Sequence, residues 1–281
     1  MQKIVFITGC SSGIGYETAC ALYNKGYRVI ASCRKKEDLT KLGQQGIDNL
    51  LMDMNDDASI HRGFELLLQK TNGRLDVLIN NAGYGQTGAL EDITRSILRE
   101  QFETNVFGLM ELTRLAIPVM RRQNEGRIIN ISSILGLVSM PFRGAYNASK
   151  YAVEGLSDTL RLELAQSGIK VSTIEPGPIE SRFRDNAISY SLEKINHENS
   201  YFAKQYEFML SHFRKQKSNS ALTCGPEAVI KKIIHAIEAK HPKPQYRVTV
   251  PAHSLAFLKR ILSTRMLDRF IAFISRKELG E

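Results

Sequence analysis

The chain has 281 residues, 43% of them hydrophobic and 24% charged, with a formal net charge of +9. That length suits one large α/β unit over residues 1–281 better than two small ones, and the composition is that of an ordinary soluble globule. No apolar run is long enough to span a bilayer, and Met1-Gln2-Lys3 enters a strand-like run without the features of a secretory signal. Cys10, Cys20, Cys33 and Cys224 have neither metal-finger spacing nor the density of a disulfide scaffold, and the six histidines are scattered. A cytoplasmic protein with reduced thiols and no metal site is therefore expected.

The charge is unevenly placed. Residues 1–181 hold 20 Lys+Arg against 20 Asp+Glu, and residues 182–281 hold 18 against 9, so the whole excess lies in the last hundred residues. The rear part favours an anionic surface or ligand. Nucleic acid is not expected, because no recognised binding module accompanies the charge.

Strand-like runs are predicted at Ile4–Thr8, Arg28–Ser32, Asn49–Met52, Val77–Asn80, Arg127–Ile131, Val171–Ile174 and, weakly, Arg247–Val250. Continuous apolar stretches such as Ile4-Val5-Phe6-Ile7 suit strands buried on both faces. Helix-length segments separate them, for example Ser96–Met120 and Ala145–Ala165, the latter with Val153, Leu156, Leu160 and Leu164 at helical spacing. Alternating β and α units imply an α/β fold with a doubly wound parallel sheet of about seven strands and helices on both faces. Ligands of such sheets bind beyond the carboxyl ends of the strands. The polar, aromatic-rich segment 184–224 reads as an inserted lid, and 252–281 as a basic amphipathic extension.

Thr8-Gly9-Cys10-Ser11-Ser12-Gly13-Ile14-Gly15 follows the first strand and opens a helix. Glycines at such a turn let a pyrophosphate approach the helix N-terminus. The second strand ends Ala31-Ser32-Cys33-Arg34-Lys35-Lys36, with no carboxylate before Glu37 to bond a ribose 2′-hydroxyl. Arg34 is suited instead to pair with a 2′-phosphate, which favours NADP (NADPH) over NAD.

Asn80-Asn81-Ala82-Gly83 follows the fourth strand and Ser132-Ser133 the fifth, both at the carboxyl edge, while Asn105 is an amide inside a helical stretch. Tyr146 and Lys150 stand at i and i+4 and share a helix face. A neighbouring ammonium lowers a phenol's pKa from its usual value near ~10 toward a useful range, which makes the pair a candidate acid–base device.

The ordered set TGCSSGIG, NNAG, TNVFG, ISSILG, YNASK and PGPI resembles the short-chain dehydrogenase/reductase family over roughly residues 1–183. The resemblance implies a Rossmann-type fold and a catalytic tetrad of Asn105, Ser133, Tyr146 and Lys150. Tyr146 would protonate a carbonyl oxygen that Ser133 polarises. Lys150 would bond the nicotinamide ribose and depress the tyrosine pKa, and Asn105 would hold a relay water. It also implies that Gly9, Ser11, Ser12, Gly13, Ile14 and Gly15 cradle the pyrophosphate and ribose, and that Asp53 and Met54 contact adenine. Asn81, Ala82 and Gly83 would border the adenosine ribose, and Pro176, Gly177, Ile179 and Ser181 the nicotinamide. Within the family the pattern is similar to the 17β-hydroxysteroid and retinol dehydrogenases, through TGCSSGIG, Pro141-Phe142 and the long C-terminal extension. A homodimer or homotetramer is usual in the resembled family.

Candidate substrate contacts are Ser133, Tyr146, Tyr84, Gln86, Leu135 and Met140, with Leu137, Phe142 and the lid aromatics Tyr190, Tyr201, Phe202 and Phe208. The lining is mostly apolar and suits a hydrophobic aldehyde, ketone or alcohol (retinoid, steroid-like or fatty). A 3-oxoacyl thioester reductase of lipid synthesis is the alternative enzyme, and a non-catalytic NADP-binding sensor or scaffold the alternative class. In the extension, Leu255, Phe257, Leu258, Ile261 and Leu262 stand among Lys259, Arg260, Arg265 and Arg269. Weak peripheral association with an anionic membrane and packing against the domain or a second subunit are both open for this stretch.

Overall fold

The computed structural model describes residues 2–215 and 222–280. One seven-stranded sheet runs through it in the order β3-β2-β1-β4-β5-β6-β7, and every neighbouring pair is parallel. The strands are β1 (Ile4–Ile7), β2 (Arg28–Cys33), β3 (Asp48–Leu51), β4 (Val77–Asn80), β5 (Gly126–Ile131), β6 (Ile169–Glu175) and β7 (Gln245–Arg247). The chain order reverses between β1 and β4, so the crevice beyond their carboxyl ends is where a doubly wound sheet takes a ligand.

Eleven α-helices occur among the described residues: α1 (Gly13–Asn24), α2 (Lys36–Gln44), α3 (Asp57–Thr71), α4 (Arg95–Phe102), α5 (Leu109–Gln123), α6 (Gly144–Glu163), α7 (Phe183–Lys194), α8 (Ala203–Lys215), α9 (Glu227–Glu238), α10 (Val250–Ile261) and α11 (Thr264–Leu279). Alternation along β1 explains the two layers. Ile4 and Phe6 face one way, into a core completed by Ile60, Phe64 and Leu67 of α3, Leu112 and Ala116 of α5 and Leu160 of α6. Val5 and Ile7 face the other, against Ala19 and Leu22 of α1 and Val229 and Ile233 of α9. Burying each large apolar side chain contributes about 1.5–3 kcal/mol, so both faces of this short strand stabilise the sheet.

Three local expectations are corrected. The last strand is Gln245–Arg247, not Arg247–Val250. The Thr249 hydroxyl accepts from the Ala252 amide at 3.3 Å, and this N-cap, with Pro251 in the first turn, starts a helix at Val250. The helix expected over Ser96–Met120 is α4 and α5 joined through a π-helical stretch, Glu103–Gly108. On α6, Leu156 is only half-buried, and the inner face includes Glu154 and Ser157 beside Val153 and Leu160.

The span 184–224 contains most of α7 and all of α8, while its residues 216–221 lie outside those described, as does Glu281 of the C-terminal stretch. No helix among the described residues is long and apolar enough to cross a membrane.

Candidate active site

The turn after β1 is built from backbone and two polar side chains. Gly9 and Gly13 have φ of 72° and 58°, in the left-handed region where a side chain is strained. A Cβ on Gly15 would collide with the Gly9 carbonyl oxygen and the Asn81 amide nitrogen. Asn81 Nδ2 donates to the carbonyls of Thr8 at 2.9 Å and Gly9 at 3.0 Å, and Thr8 Oγ1 accepts from the amides of Asn81 and Ala82. Asn81 therefore ties the β1 and β4 turns together, besides bordering the crevice. Ser12, the N-cap of α1, is extended and makes no side-chain cap, so the first helical amides face the cradle without an internal competitor.

Arg34 is exposed at the end of β2, where its guanidinium bonds the Tyr190 phenol of α7 and has the Asp53 carboxylate nearby. Asp53 accepts from the Asn55 amide at 3.0 Å, its own amide donates to Ser59 Oγ, and Met54 beside it is buried. Ser181 Cβ lies 3.2 Å from the position a Gly13 Cβ would take, which brings the β6 turn over the glycine cradle. In that turn the Pro176 carbonyl accepts from the Ile134 amide, and Ile179 bridges to Cys224.

At the other end, Ser133, two residues past β5, starts a short 3-10 turn, Ile134–Gly136, where its hydroxyl accepts from the Leu135 amide at 3.1 Å. Tyr146 and Lys150 lie on the buried face of α6. The Ser133 hydroxyl bonds the Tyr146 phenol, while the Lys150 ammonium stands 5.8 Å from the phenol ring centroid and donates to the Ile131 carbonyl at 2.7 Å. Asn105, in the π-helical stretch, has a fully engaged amide. Its Nδ2 donates to the Tyr84 carbonyl and to Ser149 Oγ, and its Oδ1 accepts from the Tyr84 amide. Its side chain pins the loop that continues β4 past Gly83 onto α6, and the extra residue of a π turn is what aims it there.

The electrostatics depart from the sequence expectation. Tyr146 is not lowered by its lysine. Burial pushes the phenol up to about 12, opposed by the Ser133 hydrogen bond and the Arg143 charge. Burial also brings Lys150 down to about 8, opposed by the Glu154 carboxylate. Desolvation acts against the charged form of each group, and the lysine is drawn to a carbonyl instead of the phenolic oxygen.

Tyr84 meets Tyr190 in a tilted ring contact with centroids 4.6 Å apart, and Leu135 packs with Tyr146, with Met140 half-buried against the same cluster. Gln86 is buried: its amide donates to Gln101 Oε1 and its side chain to the Thr87 carbonyl, so it braces the loop after β4 from within. Two lid assignments are corrected. Tyr201 is 87% exposed, and Phe208 packs toward Gly280 at the end of α11. Phe142 and Phe202 belong to a separate cluster with Tyr206 of α8. The sequence does not mark Phe183, whose ring lies 5.3 Å from that of Tyr146, and of the two readings left open for the C-terminal stretch, packing against the domain is seen for Ala252, Leu255 and Ile271, which share the Tyr146 cluster. Only their apolar character was visible in advance; nothing local in the sequence marks their partner.

The family model for short chain dehydrogenases matches residues 3–190. The chain is 42% identical over 271 residues to the Escherichia coli (strain K12) protein named uncharacterized oxidoreductase YbbO, covering 96% of this chain and 94% of the relative. The chain belongs to the short-chain dehydrogenase/reductase family. It is an oxidoreductase of that family, similar to the retinol dehydrogenase branch: human retinol dehydrogenase 8 is 30% identical over 275 residues, covering 94% of this chain and 87% of that one. Among solved structures, ElxO with NADP bound superposes with a TM-score of 0.73 at 25% identity, covering 90% of this chain and 100% of that one.

Proposed function

We propose that this short-chain dehydrogenase/reductase transfers hydride between NADP(H) and a hydrophobic aldehyde, ketone or alcohol of retinoid, steroid-like or fatty type. The observation that carries the reading is a buried phenol, Tyr146, bonded to Ser133 beside Lys150, across the sheet edge from a glycine cradle. The cradle fits a dinucleotide: Gly9 and Gly13 take left-handed backbone angles, Gly9 and Gly15 pack so closely on the neighbouring turn that no side chain fits, and uncapped helix amides open from the turn. Ser11, Ser12 and Ile14 complete it, and Asp53, Met54, Asn81, Ala82, Gly83, Pro176, Gly177, Ile179 and Ser181 border its length. Arg34, an exposed guanidinium without a second-strand carboxylate, suits the 2′-phosphate, and the NADP in ElxO supports that choice.

Bound NADPH would supply the hydride. At neutral pH Tyr146 holds its proton, ready for the carbonyl oxygen, because burial keeps the phenol well above its ordinary pKa. Ser133 Oγ orients and polarises that oxygen. The phenolate left behind is steadied by the Ser133 hydroxyl and the Arg143 charge. Lys150 holds the nicotinamide ribose. Asn105 fixes the Tyr84 loop, and Tyr84, Leu135 and Met140 give the substrate an apolar wall that keeps water from the reacting carbonyl. A phenol protonated through the neutral range suits the reductive direction.

NADPH oxidation across retinal, steroid ketones, fatty aldehydes and 3-oxoacyl thioesters tests the reading. Turnover of one of the first three classes is expected. A preference for the thioesters would replace the substrate class, and no turnover of any would overturn the enzymatic reading.

The C-terminal helices support a second, independent part of the proposal: weak peripheral docking of a cytoplasmic enzyme on an anionic bilayer. The inner face of α10, with Ala252, Leu255 and Ala256, is buried against the Tyr146 cluster. Val250, Phe257 and Ile261 at i, i+7 and i+11 form an exposed apolar stripe on the opposite face, and Phe257 is 62% exposed. Between residues 250 and 280 the sequence carries Lys259, Arg260, Arg265, Arg269, Arg276 and Lys277 against only Asp268 and Glu278. A two-fold dimer through this face would set like charges against each other, whereas anionic headgroups complement them. Liposome flotation with phosphatidylserine vesicles, comparing the full chain with Phe257→Asp, is expected to show salt-sensitive recovery that the substitution abolishes; equal recovery would refute the docking.

A further inference from the structure

Behind the reacting centre lies a polar ladder that hydride transfer does not need. On β6 and β7, Thr173 pairs with Gln245 and Glu175 with Arg247, and alternation places all four on one face of the sheet. The opposite face takes Ile174 and Tyr246 into an apolar core, where the Tyr246 hydroxyl meets His235 of α9. Glu154 of α6, one helical turn beyond Lys150, covers the ladder. Its Oε2 accepts from Thr173 Oγ1 at 3.2 Å and Gln245 Nε2 at 3.5 Å, and the Ser132 hydroxyl, just past β5, is buried near the same carboxylate without an aligned hydrogen bond. Glu154 also packs beneath Gly136, in the turn that begins at Ser133.

Two carboxylates in this position are costly. Glu175 has 0% exposure, and neither of its oxygens makes an aligned hydrogen bond. Arg247 Nε approaches Glu175 Oε2 to 3.2 Å, out of line, and Glu154 Oε1 has no partner. The charged groups around the two acids are Arg247 on β7 and Lys150 and Asp158 on α6. Arg247 alone balances one negative charge. An unpaired buried carboxylate is expensive enough that such a pair keeps a proton.

We propose that Glu154 and Glu175 are a coupled acid pair that holds one proton between them and sets the charge opposite Lys150. With one proton bound, Arg247 neutralises the pair. When that proton leaves, a second negative charge develops one turn from Lys150 and holds its ammonium protonated. Burial raises both carboxyls, with Asp158 adding to the rise of Glu154 and the Glu154 charge to that of Glu175, which reaches about 7, just below the range in which burial releases the Lys150 proton at about 8. The pair thus ionises in time to keep Lys150 charged on the alkaline side. Glu154 and Glu175 are positioning residues acting through Lys150, which makes the functional consequence dependent on the proposed role of Lys150.

Infrared titration of the full chain reads the pair without any turnover. A protonated-carboxyl band that disappears as pH rises through about 7 is expected, and Glu154→Gln and Glu175→Gln should each remove that titration. A wild-type spectrum with no such band, or a band that survives both substitutions, overturns the shared proton. The pH dependence of kcat/KM then reads the effect on Lys150. Glu154→Gln removes the charge that raises the lysine, so its alkaline limb should move down by about one pH unit, with Glu154→Asp restoring it. A uniform fall in kcat at every pH with an unmoved limb refutes the positioning role. Absence of turnover beside a normal infrared titration counts against the enzymatic reading and leaves the acid pair standing.

Discussion

The two ends of the crevice are made in different ways. The glycine cradle is closed by Thr8, Asn81 and positive-φ glycines within two adjacent turns, and its shape depends on backbone geometry. The reacting end is closed by side chains from distant segments: Phe183 of α7, Leu255 of α10 and Ile271 of α11 all join the surroundings of Tyr146. The cradle tolerates no new atoms, whereas the reacting end depends on what covers it. A preformed phosphate site asks for little more than space and amides, but a phenol with a shifted pKa requires water to be excluded.

The largest effect that sharpens this contrast is at the phenol. Tyr146→Phe should lower kcat by at least about a thousandfold with NADPH affinity kept, measured by NADPH oxidation and by fluorescence titration of NADPH. Retained turnover would remove the acid role and leave the cradle as the chain's main functional feature. Next comes the cradle itself. Gly15→Ala drives a methyl into the Gly9 carbonyl and the Asn81 amide, and overpacking of this kind costs about 1–3 kcal/mol. The expected outcome is a lower unfolding midpoint together with a much weaker NADPH complex. A variant with wild-type affinity would show the turn to be more pliable than its geometry implies.

Arg34→Ala should raise the KM for NADPH by about tenfold to a hundredfold while leaving that for NADH nearly unchanged, since one charge-assisted contact is worth about 1.5–3 kcal/mol. Equal loss with both cofactors would place the arginine elsewhere in the binding. The smallest effect is at the cover. Phe183→Ala should admit water to Tyr146 and bring its phenol down from about 12 toward the ordinary tyrosine range. The direction follows because burial is the main cause of the rise. Ultraviolet difference titration of tyrosinate, against a Tyr146→Phe, Phe183→Ala control, reads it, and an unchanged titration would show that other groups keep the phenol dry.

The doubly wound sheet was legible because each strand is a short apolar run between helix-length segments, and the register of β1 follows from simple alternation. The Tyr146–Lys150 spacing and Ser133 just beyond β5 were legible for the same local reason. Asn105 could be picked out as a helical amide, but its bonds to Tyr84 and Ser149 depend on a π turn that no residue pattern marks. The lid aromatics were misassigned in part because an aromatic in a polar segment has no intrinsic direction: Tyr201 points to solvent, while Phe183 covers the phenol.

Composition, periodicity and motif spacing determined the parallel α/β architecture, the glycine turn after β1 and the shared helix face of Tyr146 and Lys150, because these are encoded within a few residues of one another. Only the tertiary structure decided the ionisation of that pair. Lys150 was expected to lower Tyr146, yet burial from all sides raises the phenol and sends the lysine to the Ile131 carbonyl. Desolvation is a sum over everything packed around a group, including α10 and α11 more than a hundred residues away. Glu154 shows the same limit: its sequence context is an ordinary helix, and only the approach of β6 and β7 turns it into a buried acid beside Glu175.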